Sequence, residues 1–240
     1  MSVHLQREME KLQELVLRLC GTVEDQVSRA LRAFEQQDEQ GARQVIAADE
    51  DVDQAEVRLE EEALKMLALY QPVAIDLRRI VAFIKINSDL ERIADYAVNV
   101  AKRQLELGGR ASYPAEFQFA DMVTAVNRQL RRSVAALVQL DSDMAWDVIL
   151  QDEPIDKLNR DMARRAEARL RSEPDLAPTM LQIYSVSRSL ERIGDHAVNI
   201  AEDVLYLITG QIVRHTHKAW RKAQRAALAA GTDPIPPPTS

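Results

Sequence analysis

The chain has 240 residues, of which 46% are hydrophobic and 29% are charged, the composition of a folded protein of one or two domains. Its formal charge of −7, without a dominant basic cluster, excludes a nonspecific nucleic-acid binder, which needs many cationic contacts to phosphate. Only seven Gly and nine Pro are present, and four of the Pro lie in the last seven residues, so we expect an all-α protein.

Three helices are predicted in the first half of the chain. Apolar residues recur at alternating intervals of three and four over residues 5–34, which indicates one long amphipathic helix. After a polar stretch, a second helix rich in Ala, Leu and Glu runs to about Tyr70, because Pro72 forces a break. A third helix begins near Ile75 and ends at Gly108, which can adopt the left-handed backbone that closes a helix.

Three more helices are predicted in the second half. The fourth covers residues 114–140, and the fifth covers residues 141–172 with a break or kink at Pro154. The sixth follows Pro174 and ends at Gly210.

This order predicts two tandem three-helix bundles with short connections, residues 1–110 and 111–212. Residues 213–230 are basic and rich in Ala, which indicates a short C-terminal helix. Residues 231–240 contain Gly and four Pro and are expected to be a disordered tail.

The expected location of the protein rests on three features that the sequence lacks: a membrane-spanning stretch, a signal peptide and a pair of cysteines. The longest stretch without a charged residue, residues 176–187, is too short for a bilayer, which takes roughly 20 residues. Charged residues near the N-terminus replace the apolar core of a signal peptide. Cys20 has no second cysteine for a disulfide, so we expect a cytoplasmic protein.

An internal duplication supports the division into two bundles. Residues 90–101, Leu-Glu-Arg-Ile-Ala-Asp-Tyr-Ala-Val-Asn-Val-Ala, recur at 190–201 as Leu-Glu-Arg-Ile-Gly-Asp-His-Ala-Val-Asn-Ile-Ala. A weaker copy relates residues 49–53, Asp-Glu-Asp-Val-Asp, to residues 152–156, Asp-Glu-Pro-Ile-Asp. The offset is 103 residues for this pair and 100 for the first, so the second half has a shorter turn between them.

Repeated carboxylates are the candidate functional groups. At about 100° per residue, Glu91 and Asp95 lie about 100° and 140° from Leu90, so they leave the core stripe for the opposite face of the helix. The same holds for the second copy, and the weaker repeat places another acidic pair on the neighbouring helix. Four carboxylates can therefore converge in each bundle. The candidate ligands are Asp49, Asp53, Glu91, Asp95, Asp152, Asp156, Glu191 and Asp195, with Asn99, Asn199 and His196 as additional candidates.

Converging carboxylates repel one another and favour a bound cation. Oxygen ligands at this spacing suit divalent or trivalent hard ions such as Mg, Ca, Mn or Fe, and can also accept Zn. The alternative is a solvated helix face, on which an acidic pair four residues apart is commonplace. Recurrence of the pairs in both halves favours the metal site.

Other chemistries are weighed against the same residues. A ferritin-like di-iron enzyme needs Glu-x-x-His motifs, and none of the four His follows a Glu at that spacing. His196 could accept a phosphoryl group, but Tyr96 occupies the matching position, which favours a polar surface residue. The sequence has no Gly-rich phosphate loop, nucleophile elbow or Cys-x-x-Cys pair, so we expect no enzyme activity.

The duplicated motif, together with residues 72–80, Pro-Val-Ala-Ile-Asp-Leu-Arg-Arg-Ile, resembles the PhoU family over nearly the whole chain except the tail. The resemblance implies paired three-helix bundles that bind metal clusters through Glu/Asp-x-x-x-Asp motifs, which correspond by position to the eight carboxylates above. Ala94 stands where the second copy has Gly194, and Pro154 interrupts the second acidic pair, so the two sites need not be equivalent.

The resemblance further implies a non-enzymatic cytoplasmic adaptor that negatively regulates phosphate uptake and phosphate-starvation genes. Its implied partners are the ATPase subunit of the phosphate ABC transporter and a phosphate sensor histidine kinase, with peripheral membrane association through them. The resemblance also implies a homodimer. No nucleic-acid partner is expected, because of the negative charge of the chain. Two alternatives remain open at this point, a metal store or structural helical scaffold, and a metal-dependent hydrolase.

Overall fold

The computed structural model describes residues 3–108, 117 and 119–213, and this part of the chain is helical without β-strands. The eight α-helices are α1 (Val3–Gln36), α2 (Glu39–Ala47), α3 (Asp49–Tyr70), α4 (Ala74–Leu107), α5 (Ala120–Gln139), α6 (Ser142–Leu150), α7 (Glu153–Ser172) and α8 (Ala177–Thr209). A 3₁₀ turn, Pro174–Leu176, precedes α8. The predicted all-α fold of two tandem bundles is confirmed.

The prediction of six helices is wrong, because the middle helix of each bundle is divided in two. Ala48 separates α2 from α3, and its backbone (φ −80°, ψ −4°) leaves the helical path without any proline. Residues 151 and 152 separate α6 from α7, so the expected break near Pro154 is confirmed. Pro154 lies in the first turn of α7, where its missing N–H costs nothing.

Aspartate side chains begin both of the short extra helices. Asp38 precedes α2 and accepts a hydrogen bond from the Gly41 N–H, and Asp141 precedes α6 and accepts one from the Met144 N–H. Each satisfies one of the amide groups that a helix start leaves unpaired. Asp38 and Asp141 occupy equivalent positions in the two repeats, so α2 and α6 begin in the same way.

The two helices that carry the duplicated motif, α4 and α8, form the centre of the molecule. They pack against each other; α4 also contacts α1, α2 and α3, and α8 contacts α5, α6 and α7. The apolar positions of the duplicated motif are buried in both copies, as Leu90 and Leu190 illustrate. One repeated sequence therefore fills both cores and the junction between them.

The ends of the central helices agree with the prediction. Gly108 and Gly210 follow α4 and α8 with φ of 45° and 81°, which a side chain would strain. The boundary at 110/111, the predicted helix start at Pro114, the C-terminal helix from residue 214 onward and the tail lie outside the described residues. None of the described helices is long and apolar enough to cross a membrane.

Candidate metal centre

Three carboxylates of the second bundle lie close together. Asp152, Asp156 and Asp195 each offer one oxygen, and these oxygens lie within 4.8 Å of one another. Asp152 is buried immediately before α7, and Asp156 follows one turn later. Asp195 faces them from the middle of α8. Among the described residues, this is the only group of three or more such side chains that meets the distance.

Asp152, Asp156, Glu191 and Asp195 form the second cluster, and the pKa values of the last three are raised. Burial raises the pKa of Asp195, and the charge of Asp152 raises it further. Burial and the charges of Asp152 and Asp195 likewise raise the pKa of Asp156. Glu191 lies one turn before Asp195, and its pKa is raised first by burial and then by the Asp195 charge. The four predicted ligands therefore interact as one set.

The four predicted carboxylates of the first bundle also interact electrostatically and form the first cluster. They are Asp49, Asp53, Glu91 and Asp95. Burial raises the pKa of Asp49, and the charges of Asp53 and Asp95 raise it further. The pKa of Glu91 is raised by burial, then by Asp95 and, more weakly, by Glu56 and Asp53. Asp53 is exposed, which makes this cluster more open than the second one.

The side of each central helix opposite the core stripe, where the sequence analysis placed these carboxylates, is partly covered by a neighbouring helix. Glu91, Asp95, Glu191 and Asp195 are all half-buried, because α3 packs on α4 and α7 packs on α8 along that side. Each cluster therefore lies in the seam between a central helix and the start of its neighbour. Desolvation in this seam is the largest cause of each raised pKa.

Arginines at equivalent positions partly neutralise both clusters. The Nη1 of Arg92 lies 3.5 Å from the Oδ2 of Asp95, and the Nη1 of Arg192 lies 3.1 Å from the Oδ2 of Asp195. Arg188 adds a 2.7 Å ion pair from Nη1 to Oε1 of Glu191. The Nε of Arg192 lies 3.8 Å from the Oε2 of Glu191, too far for a hydrogen bond, so this oxygen can still bind a cation.

Two buried glutamines support the clusters, and the sequence analysis missed both. Gln26 of α1 donates from Nε2 to the Oδ1 of Asp49 at 3.2 Å, and Gln129 of α5 donates to the Oδ1 of Asp152 at 3.4 Å. The glutamines are 103 residues apart, the same offset as the two aspartates. An amide inside an otherwise apolar helix stripe, repeated at that offset, was the signal that could have found them.

The donor set fits a hard cation. All of its side chains offer oxygen, which Mg, Ca and Mn prefer, and the residues that would hold the ion in the second bundle are Asp152, Asp156, Glu191 and Asp195. Among the described atoms, the Oε2 of Glu191 is buried without a hydrogen-bond donor, as are the Oε1 atoms of Gln26 and Gln129. A cation would satisfy the carboxylate oxygen and relieve the repulsion among the acids.

Pro154 does not disturb the second acidic pair, contrary to expectation. Because it lies in the first turn of α7, Asp152 and Asp156 still reach the same cluster. The additional candidates behave differently. His196 and Asn199 contact Asp89 of α4, so the structure places them at the junction between the bundles. Asn99 lies half-buried on α4, two turns after Glu91.

Comparison with known proteins now decides the family. The family model described as the PhoU domain matches residues 16–104 and again residues 119–204, once in each half of the chain. The chain belongs to the PhoU family.

Relatives and solved structures of the PhoU family agree over most of the chain. A phosphate-specific transport system accessory protein PhoU homolog of Pseudomonas putida is 35% identical over 209 residues, covering 87% of this chain and 82% of that protein. The Escherichia coli K12 phosphate-specific transport system accessory protein PhoU is 30% identical over 208 residues, covering 87% and 86%. The crystal structure of PhoU from Pseudomonas aeruginosa matches with a TM-score of 0.82 and 34% identity, covering 86% of this chain and 99% of that one.

The two PhoU repeats of this chain differ beside their clusters. In the first, Asn87 donates from Nδ2 to the Oε1 of Glu56 at 3.1 Å, and the Glu56 pKa is raised by burial and then by Glu60 and Asp53. At the equivalent place of the second, Ser187 donates to the Oδ1 of Asn159 at 2.9 Å. The first cluster thus has a fifth carboxylate, where the second has a neutral amide.

Gly194 shows a second difference between the repeats. A Cβ at Gly194 would lie 2.9 Å from the Oε1 of Gln129 and 3.3 Å from the Cδ1 of Ile155. The missing side chain therefore lets Gln129 reach across to α8 while it holds Asp152. The first repeat has Ala94 at this position.

Proposed function

We propose that this PhoU-family chain is a non-enzymatic adaptor that reports phosphate sufficiency. It restrains phosphate uptake and keeps phosphate-starvation genes off by linking the ATPase subunit of a phosphate ABC transporter to a phosphate sensor histidine kinase. Support comes from the match of both repeats to the family and from relatives whose names describe accessory proteins of the phosphate-specific transport system. A solved relative from Streptococcus pneumoniae, at 26% identity and a TM-score of 0.80, is described as a phosphate transport system regulatory protein.

The acidic seams are the surfaces we assign to this role. A bound cation supplies positive charge that offsets the repulsion of the carboxylates and leaves coordination positions for oxygen ligands of a partner. In the second bundle, Asp152 and Asp156 lie on one wall of the seam, at the start of α7. Glu191 and Asp195 lie on the other wall, on α8. Arg188 and Arg192 form ion pairs with Glu191 and Asp195 of the second wall.

A reporter for a phosphate-starvation promoter tests the function. The host lacking this gene is grown in phosphate-rich medium and complemented with the wild-type chain or the variant Asp156→Asn/Asp195→Asn. We expect derepression in the deletion, full repression with the wild type and loss of repression with the double variant. Glu167→Gln, an exposed change on the same helix α7, is the matched control and should repress fully.

Each outcome has a defined meaning. An unchanged reporter in the deletion overturns the regulatory role of this chain. Repression that survives in the double variant, with normal protein levels, keeps the regulatory role and removes the second acidic seam from it.

A further inference from the structure

The ends of three helices and the side of α1 form an apolar groove away from both acidic seams. The groove has a volume of about 410 Å³. Its walls come from α1, the start of α4, the end of α5 and the last two turns of α8. The lining residues include Val16, Ile75, Phe83, Leu140, Leu207 and Ile208.

The rim of the groove exposes large apolar side chains to an unusual degree. Ile75 of α4 is 63% exposed, Leu140 directly after α5 is 52% exposed, and Ile208 of α8 is 37% exposed. Single exposed apolar residues need no explanation, but three around one apolar groove indicate a surface that is covered.

The chain leaves α8 at this groove. Leu207 and Ile208 line it, and Gly210 then ends the helix beside Arg78 of α4, whose guanidinium would lie only 2.7 Å from a Cβ at position 210. Arg79, the next residue, is itself part of the lining. Val213 is again buried, so the chain still follows the body of the protein where the described part ends. The described part of the chain therefore ends five residues after Ile208 of the groove lining, and 27 residues follow it in the sequence.

The sequence of those residues suits this surface. Counted at about 100° per residue from Trp220, the side chains of Ala223, Ala227 and Ala230 fall within about 80° on one side. The five Lys and Arg residues fall on the other face, between about 100° and 200°. They are Arg214, Lys218, Arg221, Lys222 and Arg225. On a helix, this pattern gives a face of small residues with one large anchor, Trp220, opposite a solvated basic face.

We propose that the segment 214–230 covers this groove of its own chain, with Trp220 inserted between the α4 and α8 walls. The face of alanines lets the segment approach closely, and an indole ring buries about 150–250 Å² of surface. Trp220 lies seven residues after Val213, about 10 Å on a helix and up to about 23 Å when extended, so the connection can reach. Because the segment is tethered, docking within one chain is favoured over docking of a free partner. Any partner that uses the groove competes with it.

Tryptophan fluorescence tests the proposal in the full chain. The chain has two tryptophans, so Trp146→Phe leaves Trp220 as the only emitter. We expect Trp220 to emit at shorter wavelength than in the isolated peptide 214–230 and to be quenched several-fold less by acrylamide. Ile75→Asp, added to this background, should return both values to those of the peptide. Leu181→Asp, an equally exposed apolar position (62%) in the first turns of α8 and outside the groove lining, is the matched control and should change neither value.

A second groove variant, Ile208→Asp, guards against a local effect of Ile75→Asp, and circular dichroism reports that each variant is folded. Trp220 emission like that of the peptide in the Trp146→Phe chain would overturn the proposal. So would protection that Ile75→Asp and Ile208→Asp leave intact. Protection that disappears on dilution assigns the groove to a second copy, and protection that arises only with anionic lipid vesicles assigns the segment to a membrane surface; both results overturn docking within the chain.

Discussion

The Nδ1 of His196 lies 2.7 Å from the Oδ1 of Asp89, 107 positions earlier in the chain. Asn199 donates from Nδ2 to the same oxygen at 3.0 Å, so one aspartate of α4 receives two side chains of α8. Lys85 and Asp203 form a second contact between these helices, with 3.1 Å from Nζ to Oδ1. The junction of the two bundles is therefore polar as well as apolar, and His196 stabilises it.

Replacing His196 by Phe should destabilise the protein without removing metal. The change removes one of the two side chains that contact the Oδ1 of the buried Asp89, and a typical intramolecular hydrogen bond contributes about 0.5–1.5 kcal/mol. Urea denaturation followed by circular dichroism measures this loss. His4→Phe, at an exposed position, is the control and should have little effect. Equal stability of the two variants, or loss of bound metal in His196→Phe, would contradict the assignment.

Replacing Gln129 by Leu should separate metal binding from folding. Removing the amide takes away a donor that orients Asp152, and the loss of such an outer partner weakens metal binding about 10–100-fold. Stability should change much less than metal affinity, because the loss of the long hydrogen bonds to Val148 and Asp152 is offset by removal of the buried Oε1, which has no donor among the described residues. Calorimetric titration with Mn²⁺ measures affinity, and thermal unfolding measures stability. Gln54→Leu, exposed on α3, should leave the affinity as it is.

Glu56→Asn and Asn159→Glu place at each position the residue of the other repeat. The first variant should weaken cation binding in its cluster, and the second should strengthen it. Glu56→Asn removes the fifth carboxylate of the first cluster and should weaken cation binding there about tenfold, since one charge near a partly buried cation is worth at least that. Asn159→Glu should strengthen the second cluster while destabilising the metal-free protein, because Asn159 is buried. Two-site fits of Mn²⁺ titrations test both changes. Unaltered isotherms in both variants would show that this position does not contribute.

Removing one charge from the second cluster should stabilise the metal-free protein at neutral pH. Asp195 has a raised pKa in the folded state, so the folded protein binds its proton more tightly than the unfolded chain does. The stability from this group is full below the unfolded carboxyl pKa of about 4 and is lost as the pH rises through the raised folded value.

In EDTA, Asp195→Asn should therefore raise the melting temperature at pH 7 and much less at pH 4. For a chain of this size, each 1 kcal/mol corresponds to about 2–4 °C. Asp25→Asn, an exposed partner of Arg29, should show no such pH dependence. A lower melting temperature of metal-free Asp195→Asn at pH 7 would mean that its ion pair with Arg192 outweighs the repulsion.

The sequence was sufficient for features that repeat or that depend on neighbouring residues. The long apolar stripes, the glycine helix ends and the duplicated motif predicted the all-α tandem fold, and the eight carboxylates stay a prediction of the cation sites. The break at Ala48 was missed because no proline or glycine marks it in the sequence. The contact between Asp89 and His196 could not be predicted, since it depends on how α4 and α8 cross.

The central claim is that the carboxylates of this chain form cation sites, and one calorimetric titration tests it most directly. Metal-stripped wild-type protein and Asp156→Asn/Asp195→Asn are titrated with Mn²⁺ under the same conditions. The account predicts saturable binding to both clusters of the wild type, and loss of the second-bundle component with the first retained in the variant. Identical isotherms for the two proteins, or no saturable binding to the wild type, would contradict it.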